Sequence, residues 1–244
     1  MIVAFTDFGF DGPYLGQVRI EVLRRAPGVP FVDLIADAPK CDPRSAAYLL
    51  AALVPRLPKE VIVLGVVDPG VGTDRNPIVA RAGDRWFVGP DNGLFDGVVH
   101  PDPDARTWRI AWRPLDLSAS FHGRDLFAPV AARLAVGESI ESSWLQPVEL
   151  TRRQWPLDLS EVIYVDHYGN CLTGIRGANV SDQDELTVGD HRLSRAEIFG
   201  AVDPGHAFWY RNSLGLVEIA VNLGSAARQL SLAVGSPLNV VGGS

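Results

Sequence analysis

The sequence predicts an α/β fold in its larger N-terminal part and a smaller, β-rich C-terminal domain. Three observations support this prediction. Short apolar runs alternate with segments of helical periodicity in the first part, these runs end in polar loops that contain Asp, and helical periods become scarce after Pro156. The predicted domains are residues 1–150 and 156–244, joined through the proline-containing stretch 144–156.

The N-terminal part contains strands and helices in alternation, which is typical of a mostly parallel sheet. The run 61–67 is apolar or Gly throughout, as expected for a strand covered on both faces. The segment 14–25 has apolar residues at helical spacing and stops before Pro27. The predicted strands are 2–5, 31–35, 61–67, 78–81 and 85–88, and the predicted helices are 14–25, 43–57, a short one after 93, and 125–135.

The C-terminal part contains short β runs at 163–165, 186–188 and 217–221, separated by Gly, Asn and Asp. These runs predict a domain built mainly from strands.

Composition excludes several classes of protein. Apolar residues make up 47% of the 244, enough for a sizeable core, and the net charge of −7 argues against binding nucleic acid or an anionic membrane surface. No stretch approaches the roughly 20 apolar residues of a membrane span, and the N-terminus has the pattern of a core strand rather than of a signal peptide. Cys41 and Cys171 form no CxxC pair. We therefore expect a cytoplasmic protein.

Polar clusters interrupt the apolar runs, and two of them, at Asp7 and Asp68, follow predicted strands. Ligands of parallel sheets gather at the carboxyl ends of the strands. Each cluster also has a structural interpretation, because an Asp after a strand often caps a helix or closes a turn. Metal binding by Asp7, Asp68 and His122 is an alternative, but there is no HxxxH or HxH pattern and no carboxylate run with metal-ligand spacing. A Ser-His-Asp hydrolase is disfavoured because the sequence has no GxSxG elbow. The clusters are 6–9, 68–75, 121–125 and 166–170.

Six motifs follow one another along nearly the whole chain. They are T-D-F-G at 6–9, D-P-G-V-G-T-x-R at 68–75, G-P-D-N-G at 89–93, F-H-G-R-D-x-F-A-P at 121–129, Y-G-N at 168–170 and N-S-x-G-x-V-E-I-A at 212–220. Together they resemble the S-adenosylmethionine (SAM) hydroxide adenosyltransferase family, related to enzymes that make fluorinated and chlorinated nucleosides. The resemblance implies a C-terminal β-barrel domain, a homotrimer with sites at subunit interfaces, and hydrolysis of SAM to adenosine and methionine without a metal or cofactor.

The resemblance also implies a catalytic triad of Asp68, Arg75 and His122. The Gly-rich turn can fold the Arg75 guanidinium back toward the Asp68 carboxylate, and His122 could orient water or take its proton. Which residue is the base stays open. In one alternative, Arg75 stabilises a developing hydroxide while Asp68 and His122 shape its pocket; in another, the Asp–Arg pair only fixes the turn.

Substrate binding is implied for residues in both parts of the chain. Asp7 would accept hydrogen bonds from the ribose hydroxyls, since a carboxylate offers two acceptor oxygens. Asp166 would hold the methionine ammonium, Asn170 would contact adenine, and Ser213 would contact the methionine carboxylate. An Asx turn is the structural alternative for Asp166 and Asn170.

Three further residues are weaker candidates for substrate contact. Phe8 and Tyr168 could pack on adenine or the thioether, although aromatics beside strands are often core. Glu218 alternates with apolar residues in a strand and could face either ligand or solvent. The chain has Thr173-Gly174-Ile175 where relatives commonly have Thr-Asn-Ile, a departure that concerns the shape of the adenine side more than the reaction.

Two other functions compete with hydrolysis. A halogenase of the same fold is disfavoured because Asp68 would repel a halide near the reacting carbon and Gly123 offers no hydroxyl. A non-catalytic protein that binds SAM or adenosine would not need the triad.

Overall fold

The computed structural model describes residues 1–139 and 143–242. The chain divides into two compact units, Met1–Arg153 and Gln154–Ser244, which are described separately below.

A seven-stranded mixed sheet forms the centre of the N-terminal unit. Its spatial order is β2-β1-β3-β5-β4-β6-β7. The first four strands in this order are parallel to one another, and β4, β6 and β7 continue the sheet through antiparallel pairs. The α/β prediction is therefore confirmed. The strands are β1 (Ile2–Thr6), β2 (Phe31–Ile35), β3 (Ile62–Val66), β4 (Pro77–Ala82), β5 (Arg85–Pro90), β6 (Arg106–Ile110) and β7 (Leu145–Pro147).

Helices pack against this sheet. Helix α2 is capped by the Asp42 carboxylate, which accepts a bond from the Ser45 N–H at 3.1 Å. It ends at Leu53, four residues earlier than predicted, because Pro55 has no N–H to continue it, and a 3₁₀ turn follows. The helices are α1 (Tyr14–Arg25), α2 (Pro43–Leu53), α3 (Asp96–Val99) and α4 (Ala128–Ala135).

The predicted helix 125–135 is two structures in sequence. A π-helical turn, Gly123–Phe127, leads directly into α4. Leu126 and Phe127 are fully buried in the main core of this unit, together with side chains of β1, β3 and α1. All five residues of β1 and all five of β3 are buried, as predicted for strands covered on both faces.

The C-terminal unit is built mainly from strands, as predicted, and neighbouring strands in its sheets pair antiparallel. One sheet has the order β12-β13-β9-β8 and the other β11-β10-β14, and Trp209 is fully buried in the core of the unit. The strands are β8 (Leu159–Val165), β9 (Cys171–Arg176), β10 (Glu185–Val188), β11 (His191–Leu193), β12 (Ala207–Arg211), β13 (Leu216–Val221) and β14 (Asn239–Val241), with a short helix α5 (Ala226–Gln229).

Within the described ranges, no helix has both the length and the apolar character needed to cross a membrane.

Candidate active site

Two aspartates lie side by side at the carboxyl ends of adjacent parallel strands. Thr6, the last residue of β1, pairs with Val66, the last residue of β3, and the N–H of Asp7 donates to the Val66 carbonyl at 3.4 Å. Asp68 follows β3 by two residues. The sequence prediction that both loops lie at the carboxyl ends of strands is confirmed.

A cavity opens at this edge. It is formed by the loop after β1, the turn after β3 and the segment that precedes the π-helical turn. Its lining includes Asp7, Phe8, Cys41, Asp68, Phe121 and His122.

The segment 68–75 folds back on itself as a tight turn. The N–H of Val71 donates to the Asp68 carbonyl at 3.2 Å, and the Thr73 hydroxyl donates to the Gly70 carbonyl at 2.7 Å. Gly72 has a φ of 79°, and a Cβ there would lie 2.5 Å from the Ala119 carbonyl oxygen. Only glycine meets both conditions without strain.

This turn brings Arg75 onto Asp68, as the spacing predicted. Arg75 Nε donates to Asp68 Oδ1 at 3.0 Å, and Arg75 Nη2 donates to Asp68 Oδ2. The side chains are only 9% and 4% exposed. Arg75 Nη2 also lies 2.9 Å from His122 Nδ1, so the three predicted catalytic residues form one connected cluster.

The contact with Arg75 determines the state of His122. A guanidinium has hydrogen-bond donors and no acceptor, so the Nδ1 atom that it contacts must be the acceptor and carries no proton. The neutral ring then has its proton on Nε2. The pKa of His122 is lowered, first by burial and then by the positive charge of Arg75, which agrees with a neutral imidazole.

An aromatic ring holds the Arg75 guanidinium from another side. The guanidinium carbon lies 5.2 Å from the centre of the Phe127 ring, within the range of a cation–π interaction. His122 directly precedes the π-helical turn, and Phe127 ends it, with the two rings 6.5 Å apart. The π-helical turn thus presents an imidazole and an apolar ring to the same arginine.

Asp7 is fixed at the cavity by the backbone. The N–H of Cys41 donates to Asp7 Oδ2 at 2.9 Å. Burial raises the pKa of Asp7, the hydrogen bond from Cys41 opposes this rise, and the nearby Asp68 charge adds to it. A cation or a set of hydroxyl donors bound in the cavity would favour the ionised form.

Phe8 lies in an aromatic group beside the cavity. Its ring centre is 5.8 Å from that of Phe121 and 6.2 Å from that of Tyr14. A Cβ at Gly123 would lie 2.9 Å from the Phe8 ring, so glycine allows this close approach. Phe8 is therefore available as one wall of the cavity.

In the C-terminal unit, Asp166 and Asn170 belong to one loop. Asp166 Oδ1 accepts from the N–H groups of Tyr168 and Asn170 at 2.9 and 2.8 Å, and Oδ2 accepts from Asn170 Nδ2 at 3.0 Å. This is the Asx turn considered as the structural alternative. It leaves lone pairs on Asp166 Oδ2 and the carbonyl oxygen of the Asn170 side chain for a ligand. Tyr168 is 75% exposed.

Glu218 faces inward rather than solvent. Its Oε1 accepts from the Tyr210 hydroxyl, and its Oε2 accepts from Asn212 Nδ2 at 2.7 Å. Burial raises the pKa of Glu218. Asn212 in turn organises the turn between β12 and β13, where Ser213 is exposed, because its Oδ1 accepts from the N–H groups of Leu214 and Leu216.

Sequence reasoning missed several contributors to these sites. Cys41 holds Asp7 through its backbone, Phe127 holds Arg75 through its ring, and Asn212 orders the Ser213 turn. Only Phe127 and Asn212 lie in motifs that the sequence singled out, and nothing in the local sequence marks Cys41. Among residues 1–139 and 143–242, no group of three His, Cys, Asp or Glu side chains is arranged to hold a metal ion.

The fold and this site define a class of protein. A buried carboxylate and a neutral imidazole line a cavity at the carboxyl ends of parallel strands, and a guanidinium joins them. This arrangement is typical of an α/β enzyme that acts on a small molecule. Family models for the N-terminal and C-terminal domains of SAM hydroxide adenosyltransferases match residues 2–143 and 160–239. The chain belongs to the SAM hydroxide adenosyltransferase family.

Individual relatives agree with this assignment. The chain is 40% identical to a protein of Thermus thermophilus named (R)-S-adenosyl-L-methionine hydrolase, over 97% of each chain. It is 38% identical to a protein of the same name from Salinispora tropica, over 98% of this chain and 96% of the relative. A solved structure of an uncharacterized conserved protein from Thermotoga maritima, 31% identical, covers 99% of this chain and 100% of its own, with a TM-score of 0.86.

Proposed function

We propose that this protein hydrolyses S-adenosylmethionine to adenosine and L-methionine. Water attacks C5′ in line with the C5′–S bond, the new O–C5′ bond forms, and the C5′–S electrons stay on sulfur as the leaving group becomes neutral methionine. One proton is released from the water. The observation that carries the proposal is the connected Asp68–Arg75–His122 cluster, of which Asp68 and His122 line the same cavity as Asp7.

Asp68 is the proposed acceptor of the water proton. The sequence left the base open, but Nδ1 of His122 accepts from Arg75 and its Nε2 carries the ring proton. His122 can therefore donate to the water oxygen and orient it. Asp68 is the anionic acceptor in the cluster, and Arg75 holds its carboxylate in a single orientation.

The binding roles follow the family resemblance and the positions described above. Asp7 would bind the ribose hydroxyls, with Phe8 packing beside it. Asp166 would bind the ammonium group and Ser213 the carboxylate of the methionine part. Asn170 would contact adenine, with Tyr168 packing on the ligand. Glu218 would contribute through the turn that carries Ser213, because Tyr210 and Asn212 already bind its two oxygens.

The proposed substrate is the (R) epimer at sulfur. The relatives in Thermus and Salinispora carry this epimer in their names. An enzyme that hydrolyses only the (R) epimer would leave the (S) epimer intact. Separate assays with the two purified epimers measure this preference, and equal kcat/KM values for both would contradict it.

The reaction is tested with protein treated with EDTA and incubated with the substrate in ¹⁸O-labelled water. We expect label in the 5′-hydroxyl of adenosine, detected by mass spectrometry, and no requirement for an added metal. Asp68→Asn is expected to abolish turnover. Asp33→Asn, which removes an aspartate paired with Arg19 away from the cavity, is the matched control and should retain it.

Three other outcomes would overturn the proposal. Methylthioadenosine as product would indicate a different bond cleavage, and 5′-chloro-5′-deoxyadenosine formed in chloride would indicate a halogenase. Tight binding of the substrate without turnover would indicate a binding protein.

The proposal extends to a homotrimer in the cytoplasm, implied by the family resemblance and by the composition. Multi-angle light scattering of the purified protein gives the oligomeric state. A monomeric mass would contradict the trimer.

A further inference from the structure

The motif G-P-D-N-G at 89–93 has no role in the mechanism above, and its residues do not line the cavity. It begins in the last two residues of β5 and continues into the loop that follows, and β5 lies between β3 and β4 in the sheet. Because the 68–75 turn connects β3 to β4, the motif lies next to both ends of the segment that carries Asp68 and Arg75.

Two hydrogen bonds join the motif to these ends. Asn92 Nδ2 donates to the carbonyl oxygen of Val67 at 2.8 Å, and Val67 immediately precedes Asp68. The N–H of Asp91 donates to the carbonyl oxygen of Asn76 at 2.8 Å, and Asn76 immediately follows Arg75. Both ends of the catalytic turn are therefore fixed by consecutive residues of one loop.

The loop itself has little freedom. A Cβ at Gly89 would overlap the carbonyl oxygen of Gly65, so β5 lies directly against β3. Asn92 Oδ1 accepts from the Leu94 N–H at 3.3 Å, which fixes the direction of the amide. Because the loop is rigid, its two hydrogen bonds can hold the ends of the 68–75 turn in place.

Arg153 holds Asp91, the residue next to Asn92 in this loop. Its guanidinium donates to the carbonyl oxygen of Asp91 at 2.9 Å and to Asp91 Oδ1 at 3.2 Å. Asp91 is consequently bonded on both sides, by Arg153 and by Asn76.

We propose that Asn92 is a positioning residue for the Asp68–Arg75–His122 cluster and acts through the Val67 carbonyl. The inference rests on the proposed function for its kinetic consequence. Without the Asn92 bond, the start of the turn can shift, and Arg75 then meets Asp68 and His122 less closely. Since Asn92 lies outside the cavity lining, substrate affinity changes little while turnover falls.

The test compares Asn92→Ala and Asn92→Ser with Asn222→Ala. The serine variant keeps a short acceptor for the Leu94 N–H but cannot reach Val67. Asn222 Nδ2 makes the same kind of bond, to the Val202 carbonyl at 2.6 Å, in the C-terminal unit. We expect kcat to fall about tenfold in both Asn92 variants, with KM within about twofold, and to stay within about twofold in Asn222→Ala.

An NMR titration of the His122 ring makes the test independent of turnover. The pKa of His122 depends on its burial, on Arg75 and Arg113, which lower it, and on Asp68 and Asp125, which raise it. A displaced turn changes the distances of Asp68 and Arg75 from the ring, so the titration midpoint should shift in both Asn92 variants and stay in place in Asn222→Ala. A midpoint unchanged in folded Asn92→Ala and Asn92→Ser overturns the inference. If the parent protein does not hydrolyse the substrate, the proposed function fails, and the titration still decides the positioning role.

Discussion

Replacing Asp68 by Asn tests how much the Asp68–Arg75 ion pair contributes to the free energy of unfolding. The substitution keeps the size of the side chain and one acceptor for Arg75, but it removes the negative charge. Arg75, with its side chain only 9% exposed, would then hold a buried positive charge next to a neutral imidazole. Removing one partner of a buried pair typically costs 3–5 kcal/mol, and the retained acceptor places this case near the lower end, at about 3 kcal/mol.

The same substitution at Asp33 is the control for this measurement. Asp33 is contacted by Nε and Nη2 of Arg19, as Asp68 is by Arg75, but the Arg19 side chain is 47% exposed. Because water solvates an exposed arginine, Asp33→Asn should cost less than about 1 kcal/mol.

Urea unfolding followed by tryptophan fluorescence and circular dichroism measures both losses. The free energy of unfolding of the N-terminal unit should fall by about 3 kcal/mol in Asp68→Asn, roughly a hundredfold change in the folded-to-unfolded ratio. Equal losses in the two variants would refute the reasoning, because the Asp68–Arg75 pair would then behave as a surface contact.

Three further results are expected. The pKa of folded His122 lies below the unfolded value of 6.5, so the free energy of unfolding should decrease as pH falls from about 6.5 toward the folded pKa. Urea titrations at several pH values should show a smaller pH dependence in His122→Asn, and an unchanged dependence would contradict a neutral His122. Gly72→Ala should abolish turnover and lower Tm more than Gly83→Ala, which also has positive φ but nothing within 4 Å of the added Cβ; similar effects of both would contradict the close packing at Gly72. A thiol reagent should label Cys41, which lines the cavity, and adenosine should slow this labelling. Burial raises the pKa of Cys171 to about 12, so Cys171 should react only after unfolding. Mass spectrometry of the labelled peptides measures both, and labelling of Cys171 before Cys41 would contradict the prediction.

The sequence predicted the elements whose local pattern is unambiguous. The bounds of α1 and β2 agree with the structure, and the seven-residue spacing of Asp68 and Arg75 correctly predicted their contact. The strand β6 was missed because Arg106–Ile110 mixes charged and apolar residues and pairs at a distance in sequence with β4. Local periodicity carries no information on such partners.

The contacts that complete the site depend on tertiary structure in the same way. The Cys41 backbone and the Asn92 amide act through bonds that span 34 and 25 residues of sequence. The motif that contains Asn92 was visible in the sequence, but its partner was not. The domain limits, the binding roles and the trimer stay predictions.

The cluster of Asp68, Arg75 and His122 lowers the stability of the fold, because its charges lose water when they are buried. Three apolar side chains of similar volume at these positions would avoid desolvating two charges, and such replacements of buried ion pairs often leave a protein equally or more stable. A stability screen of the N-terminal unit would therefore favour the very substitutions that remove the chemistry. The three polar groups are oriented by hydrogen bonds to one another, so the work of arranging them is done during folding and need not be repeated in each catalytic cycle.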